Sequence, residues 1–206
     1  MTPTAGGPNP VRGVTAAIIT VSTKGYAGQR ADESGPAMRA ILEGAGIPVV
    51  YADLVPDDIE RVATTILAAT RSGANVVLTS GGTGLSPNDL TPEATRRVID
   101  REVPGIAEAL RAHSLSKTPH GMLSRGVAGA LGGALVVNLP GSPKAARESL
   151  EVLLPVLSHA VELLGGGSGE ATHRVRSAQA ERLPHPQISD DRLAIEDSDE
   201  RRPREH

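Results

Sequence analysis

The sequence predicts a three-layer α/β/α sandwich built on a mostly parallel sheet. Three observations carry this expectation. Short runs of Val, Ile, Leu and Ala alternate with segments whose apolar residues fall at helical spacing, the order that joins parallel strands through crossover helices. Several runs are apolar on both faces of a strand, as in a sheet covered by helices on each side. The runs end in Ser, Thr, Gly or Asp, residues suited to a ligand-binding edge at the carboxyl ends of such strands.

The elements follow in order. Val14 to Val21 (VTAAIITV) is a β-branched run with the pattern of a fully buried strand. Ser34-Gly35-Pro36 offers a helix start, with Ala37, Ile41 and Leu42 as apolar positions up to Gly44 or Gly46. Pro48 to Leu54 reads as a second strand. Pro56-Asp57-Asp58 then opens a helix with Ile59, Val62, Ile66 and Leu67 on one face. Val76 to Ser80 is a third strand, running into a glycine-rich turn. Thr91-Pro92-Glu93 reads as an N-cap, a Pro at the first helical position and an acid in the first turn. Ala134 to Leu139 is a further strand, followed by Pro140-Gly141-Ser142-Pro143 and a helix carrying Leu150, Leu153 and Leu154.

Composition narrows the chemistry. The 206 residues include no Cys, Trp or Phe and only two Tyr. A disulfide, a thiolate zinc site and a cysteine nucleophile are therefore excluded. The formal net charge of −3 and the lack of aromatics argue against nucleic-acid binding. No apolar run approaches the roughly 18 residues of a membrane-spanning helix, and residues 1–13 are too polar for a signal peptide. The expectation is a soluble, cytoplasmic protein with one domain over 14–164. Residues 1–13 read as a flexible leader. Residues 165–206 hold seven Lys/Arg, nine Asp/Glu and three Pro. Ordering backbone costs about 1–2 kcal/mol per residue, so this polar tail is expected to be disordered. A docking segment around Leu183 to Ile195 is the alternative for it.

Polar residues gather at the strand ends. The third strand runs into Thr79-Ser80-Gly81-Gly82-Thr83-Gly84-Leu85-Ser86-Pro87-Asn88-Asp89. Three glycines in four residues allow a backbone anion nest, and Thr79, Ser80 and Thr83 add hydroxyls. The Gly-Lys-Ser/Thr ending of a P-loop is absent. Asp89 beside such a nest would repel a phosphate unless a divalent cation lay between them; Mg²⁺ binds through one or two carboxylates plus substrate phosphates. Asp57 is a second carboxylate for the same edge, with helix capping as its alternative role. The last strand ends in Asn138-Leu139-Pro140-Gly141-Ser142-Pro143-Lys144. Here two prolines stiffen the turn, Gly141 permits a backbone conformation closed to other residues, and Ser142 caps the next helix. Lys144 in a first helical turn opposes the dipole unless it meets an anion. Ser22-Thr23-Lys24-Gly25 repeats the pattern at the first strand end. His113, His120 and His159 have no metal-ligand spacing.

Taken together, these strings resemble the MogA/MoaB family of molybdenum-cofactor biosynthesis proteins, to which the G domain of gephyrin also belongs. The match covers about residues 14–164. Its anchors are Leu54-Val55-Pro56-Asp57, the loop from Thr79 to Asp89 with Thr91-Pro92-Glu93-Ala94, Asp100-Arg101-Glu102-Val103-Pro104-Gly105, Met122-Leu123-Ser124-Arg125 with Ala128-Gly129, and Asn138 to Lys144. The resemblance implies molybdopterin adenylyltransferase chemistry, in which ATP and molybdopterin give adenylyl-molybdopterin and pyrophosphate with Mg²⁺ present. It places the family's two important aspartates at Asp57 and Asp89, as catalytic and metal-binding residues. Ser22, Thr79 to Gly84, Asn138, Pro140 to Ser142 and Lys144 would form the substrate pocket. It further implies a homotrimer or hexamer and handover to a molybdate-inserting partner. Ser22-Thr23-Lys24 departs from the Ser-Asp-Arg of MogA members, and Asp32-Glu33-Ser34-Gly35 is closer to MoaB. A non-catalytic molybdopterin-binding scaffold is therefore the alternative reading. A nucleotide-diphosphate hydrolase like CinA relatives is a third, for which no water-activating base is apparent.

Overall fold

The computed structural model describes residues 11–166; the expectations for residues 1–10 of the leader and for the tail after Gly166 lie outside them. The strands are β1 (Ala16–Val21), β2 (Val49–Val55), β3 (Val76–Ser80), β4 (Arg101–Glu102), β5 (Ala128–Leu131) and β6 (Ala134–Leu139). The helices are α1 (Thr23–Tyr26), α2 (Ser34–Gly44), α3 (Ile59–Arg71), α4 (Thr91–Val98), α5 (Pro104–Lys117) and α6 (Pro143–Leu164), with a 3-10 turn at Pro119–Leu123. The strands form one sheet in the order β2-β1-β3-β6-β5-β4. The first four are parallel, and β5 and β4 extend the sheet antiparallel.

The period-2 alternation of strand side chains creates the two outer layers. Ala16, Ile18, Val76, Leu78, Leu135, Val137 and Leu139 lie in one core with Met38 and Leu42 of α2 and Leu150, Leu153 and Leu157 of α6. Ile106 and Leu110 of α5 pack against that core. The alternate residues Ala17, Ile19, Val21, Val77 and Val136 meet Val62, Ile66 and Ala69 of α3 and Ala94 of α4 on the other face. Each fully buried Leu or Ile contributes roughly 1.5–3 kcal/mol, which is how a core without Phe or Trp holds the sheet.

Register positions the site. Val21 pairs with Val55, Thr20 with Ser80, and Ser80 with Leu139. The four parallel strands therefore end side by side, and Ser22, Pro56, Gly81 and Pro140 leave them along one edge.

Several boundaries depart from the sequence reading. It assigns no strand to 128–131, and it groups Val98, Ile99, Ile106 and Leu110 on one helix face, whereas the structure divides them between the end of α4 and α5 and packs them against the two cores. The β5–β6 link is a two-residue Gly132-Gly133 hairpin with Gly132 at φ +58, a left-handed turn that glycine permits. Helix α5 buries only Ala107, so its sequence carries little helical period. Helix α3 begins at Ile59, and its cap is Asp58, whose carboxylate accepts from Arg61 N at 2.8 Å. Asp57 is therefore not the cap of α3. Thr91 is not a cap either: Leu90 holds that position, and the Thr91 hydroxyl donates to Gly81 O at 2.8 Å. A hydroxyl taken by the preceding loop has no free geometry for its own helix.

Candidate functional site

A cleft of about 420 Å³ opens at the carboxyl edge of the parallel strands. That volume suits a small-molecule ligand. Its walls come from Ser22 to Gly25, Asp57, Ser80 to Gly82, Ser86, Asn88, Asp89 and Gly141 to Pro143, with Arg30 to Ser34 on the remaining side.

The glycine loop is shaped by the conformations its residues require. Gly81 has φ +108 and Gly82 φ +62, both in the region glycine favours. A Cβ at Gly81 would stand 2.2 Å from Val21 O, and one at Gly82 2.3 Å from Thr91 Oγ1. The loop's carbonyls are taken in succession. Gly81 O and Gly82 O accept from the Thr91 hydroxyl and N–H, and Thr83 O accepts from Arg125 N at 2.9 Å. The N–H groups of Gly82, Thr83, Gly84 and Leu85 have no hydrogen-bond partner among the described residues. Carbonyls engaged and consecutive N–H groups open is the arrangement of an anion nest.

Two carboxylates flank this loop. Asp57 Oδ2 accepts from both Thr23 N and Thr23 Oγ1 at 2.8 Å, tying β2's exit to the start of α1. Its Oδ1 lies 3.1 Å from where a Gly82 Cβ would be. Asp89 Oδ2 accepts from Ser86 N at 2.8 Å and lies 2.9 Å from where a Gly84 Cβ would be. Each aspartate thus has one oxygen bound by the chain and one without a hydrogen bond. Among the described residues no group of three or more His, Asp or Glu is arranged to hold a metal by itself. A pair of carboxylates with one open oxygen each, beside a nest for phosphates, fits Mg²⁺, which takes few protein ligands and completes its shell with phosphate and water.

The predicted substrate residues divide into two groups. Ser22, Ser80, Gly81, Gly82, Gly141 and Ser142 line the cleft with Asp57 and Asp89. Thr79, Thr83, Gly84, Asn138, Pro140 and Lys144 are not in its lining. Thr79 is fully buried, and Asn138 Nδ2 donates to Thr79 Oγ1 at 3.0 Å and to Thr95 Oγ1 at 2.8 Å. Asn138 Oδ1 accepts from Val127 N at 3.2 Å, so its amide ties β6 to β3, α4 and the approach to β5. Ser22 accepts from Gly25 N and Ser142 from Ala145 N, both at 3.1 Å, as helix caps that each retain a hydroxyl proton to donate. Gly141 does not have the left-handed backbone expected of it. Its glycine is explained by proximity: a Cβ there would meet Gly81 Cα at 3.1 Å.

The cleft also contains residues that the sequence reading did not select as site residues. Lys24 and Arg30 are exposed at its wall and form no ion pair among the described residues. Asp32 accepts from Ser34 N and Gly35 N at 3.0 Å and from Thr20 Oγ1 at 2.8 Å, which fixes the start of α2. An Asp two residues before a Ser-Gly helix start is the available signal for that turn. Arg30 carries no comparable local signal.

A family profile described as a probable molybdopterin binding domain matches residues 17–159. The chain is 39% identical over 137 residues to the molybdopterin adenylyltransferase of Haemophilus influenzae, covering 65% of this chain and 70% of that protein. It is 40% identical over 157 residues to gephyrin of Dictyostelium discoideum, covering 71% of this chain but 22% of gephyrin. It likewise spans 48% of a molybdenum cofactor biosynthesis bifunctional protein of Chlorobaculum tepidum, at 39% identity over 73% of this chain. The crystal structure of the molybdopterin biosynthesis enzyme MoaB from Thermus thermophilus matches with a TM-score of 0.70 and 52% identity, covering 74% of this chain and 97% of that one. The molybdopterin biosynthesis Mog protein of Mycobacterium ulcerans matches with a TM-score of 0.69 and 41% identity, covering 73% and 99%. The chain belongs to the MogA/MoaB family of molybdenum-cofactor biosynthesis proteins.

Proposed function

We propose that the chain is a molybdopterin adenylyltransferase. An oxygen of the molybdopterin phosphate attacks the α-phosphorus of ATP, the bond from that phosphorus to the β-phosphate oxygen breaks, and pyrophosphate leaves. The observation that carries this reading is one cleft lined by two half-engaged carboxylates, Asp57 and Asp89, and by Gly82, whose N–H begins a run of four unpartnered loop N–H groups. Two anionic substrates must meet there, so the chain's task is positioning and charge stabilisation. The open N–H of Gly82 at the cleft wall orients a phosphate oxygen. Asp57 and Asp89 would hold Mg²⁺, which supplies neutralisation of the phosphate charge when bound. Lys24 and Arg30 attract the polyphosphate from the cleft walls. No general base is required, because a phosphate monoester is already ionised near neutral pH. The relatives named molybdopterin adenylyltransferase support the same reading. A trimer or hexamer working in the cytoplasm completes the proposal.

The test is incubation of the purified protein with molybdopterin, ATP and Mg²⁺, with each omitted in turn, and mass spectrometry of the products. Adenylyl-molybdopterin that requires all three is the expected outcome. Tight molybdopterin binding without product would overturn the enzyme reading in favour of a scaffold. Pyrophosphate release without molybdopterin would favour hydrolysis.

A further inference from the structure

We propose that Arg125 is a positioning residue: locked onto Glu93, it fixes where Asp89 and the open N–H groups of the glycine loop stand. Its kinetic consequence rests on the adenylyl-transfer reading; its geometry does not.

Arg125 lies outside the cleft wall, after the 3-10 turn. Its main-chain N donates to Thr83 O at 2.9 Å, and Nε donates to Gly84 O at 2.7 Å. Nη2 donates to Asp89 O. Nη1 donates to Glu93 Oε1 at 2.5 Å, and Nη2 also reaches Glu93 Oε2 at 3.3 Å. One side chain therefore joins the beginning of the loop, its end and the first turn of α4. Among the described residues, Arg125 makes every hydrogen bond that residues 83–89 form outside their own stretch.

The loop needs such an external tie. Leu85, Ser86, Pro87 and Asn88 are exposed, and the glycines give the backbone wide freedom. The Asp89 N–H to Ser86 O and Ser86 N–H to Asp89 Oδ2 bonds set Asp89 relative to Ser86. They leave the whole turn able to move against the sheet. Thr91 holds only Gly81 and Gly82. The planar guanidinium reaches Gly84 O, Asp89 O and both Glu93 oxygens at once, which the single ammonium of lysine does not reproduce. Arg125 and Glu93 are not in the cleft lining, so Arg125 acts through Asp89 and the loop backbone.

Amide hydrogen exchange of the wild type, Arg125→Lys and Glu93→Gln without substrates reads the tie directly. Exchange at the hydrogen-bonded amides of Ser86, Asn88 and Asp89 should speed about tenfold in Arg125→Lys, with the amides of β1, β3 and β6 unchanged. In the adenylylation assay the same variant should lose roughly 10²-fold in kcat. Its KM for molybdopterin should hold while the Mg²⁺ concentration for half-maximal rate rises. Glu93→Gln, which retains one acceptor, should fall between the two, and it serves as the test variant if Arg125→Lys does not fold. A merely structural role would lower thermal stability and leave the Mg²⁺ dependence of the folded fraction unchanged, and that result would overturn the proposal. So would wild-type exchange at Ser86, Asn88 and Asp89 in Arg125→Lys. A wild type that makes no adenylyl product defeats the functional reading alone, since the exchange contrast still decides the role of Arg125.

Discussion

The loop after β3 (residues 81–89) and the turn after β6 (140–143) leave neighbouring strands side by side at the cleft, and both carry the glycines and hydroxyls expected of an anion site. Their physics differs. In the first, positive φ at Gly81 and Gly82 turns the backbone, outside donors take the carbonyls of Gly81 to Gly84, and the N–H groups of Gly82 to Leu85 stay open. In the second, Ser142 accepts from Ala145 N as the cap of α6, and Gly141 leaves room for Gly81. The β6 turn is therefore the buttress and the β3 loop the instrument. Similar composition conceals this division, which lies in the partners: outside donors take the carbonyls of the β3 loop, whereas a side chain caps a helix in the β6 turn.

The comparison is broken most severely at Gly81, with Gly141 as its control. Gly81→Ala would set a methyl 2.2 Å from a backbone oxygen at φ +108 and should cost on the order of 3 kcal/mol or more, together with activity. Gly141→Ala meets Gly81 Cα at 3.1 Å with no left-handed backbone and should cost under about 1 kcal/mol, read by denaturant melts of both variants. Next in size, Asn138→Ala removes the bonds to Thr79, Thr95 and Val127 and should destabilise by about 2–3 kcal/mol. Its KM for molybdopterin should stay near wild type, because that side chain works beneath the cleft.

A pH titration of stability sharpens the role of the β3 loop's anchor. Burial pushes the Glu93 carboxyl up, but hydrogen bonds from Arg125 and its own backbone, with the charges of Arg125 and Arg96, hold it below the ordinary Glu value. A depressed carboxyl stabilises the fold above its unfolded pKa, and that contribution is lost as pH falls through the folded one. Thermal melts should therefore show a loss on acidification below the ordinary Glu range, and Glu93→Gln should flatten it. The smallest effect belongs to Lys144, exposed and outside the cleft lining. Lys144→Ala should change KM by no more than about twofold, and less at high salt, because only a screened field reaches the substrate.

The sequence makes the sandwich legible where strands are apolar on both faces, as in β1, β3 and β6. Strands β4 and β5 escape that reading because one is two residues long and the other is built largely of Ala and Gly. Asp57 and Asp58 are equivalent as text. Only the geometry gives the cap to Asp58 and turns Asp57 toward Thr23. The Met122-Leu123-Ser124-Arg125 string carries the family resemblance without disclosing a role, since Arg125 meets Gly84 across 41 positions and Asp89 across 36. Pairings of that separation leave no periodic trace.

The most direct test of the central claim is adenylyl-molybdopterin formation by Asp89→Asn beside the wild type. Asn preserves an oxygen for Ser86 N–H and removes the charge facing the phosphates. A folded variant whose product falls by 10²-fold or more, with molybdopterin still bound, is the result expected of a charge acting on the transferring phosphoryl group. Product formed at the wild-type rate would contradict it, and the cleft would then bind molybdopterin without Asp89 taking part in the transfer.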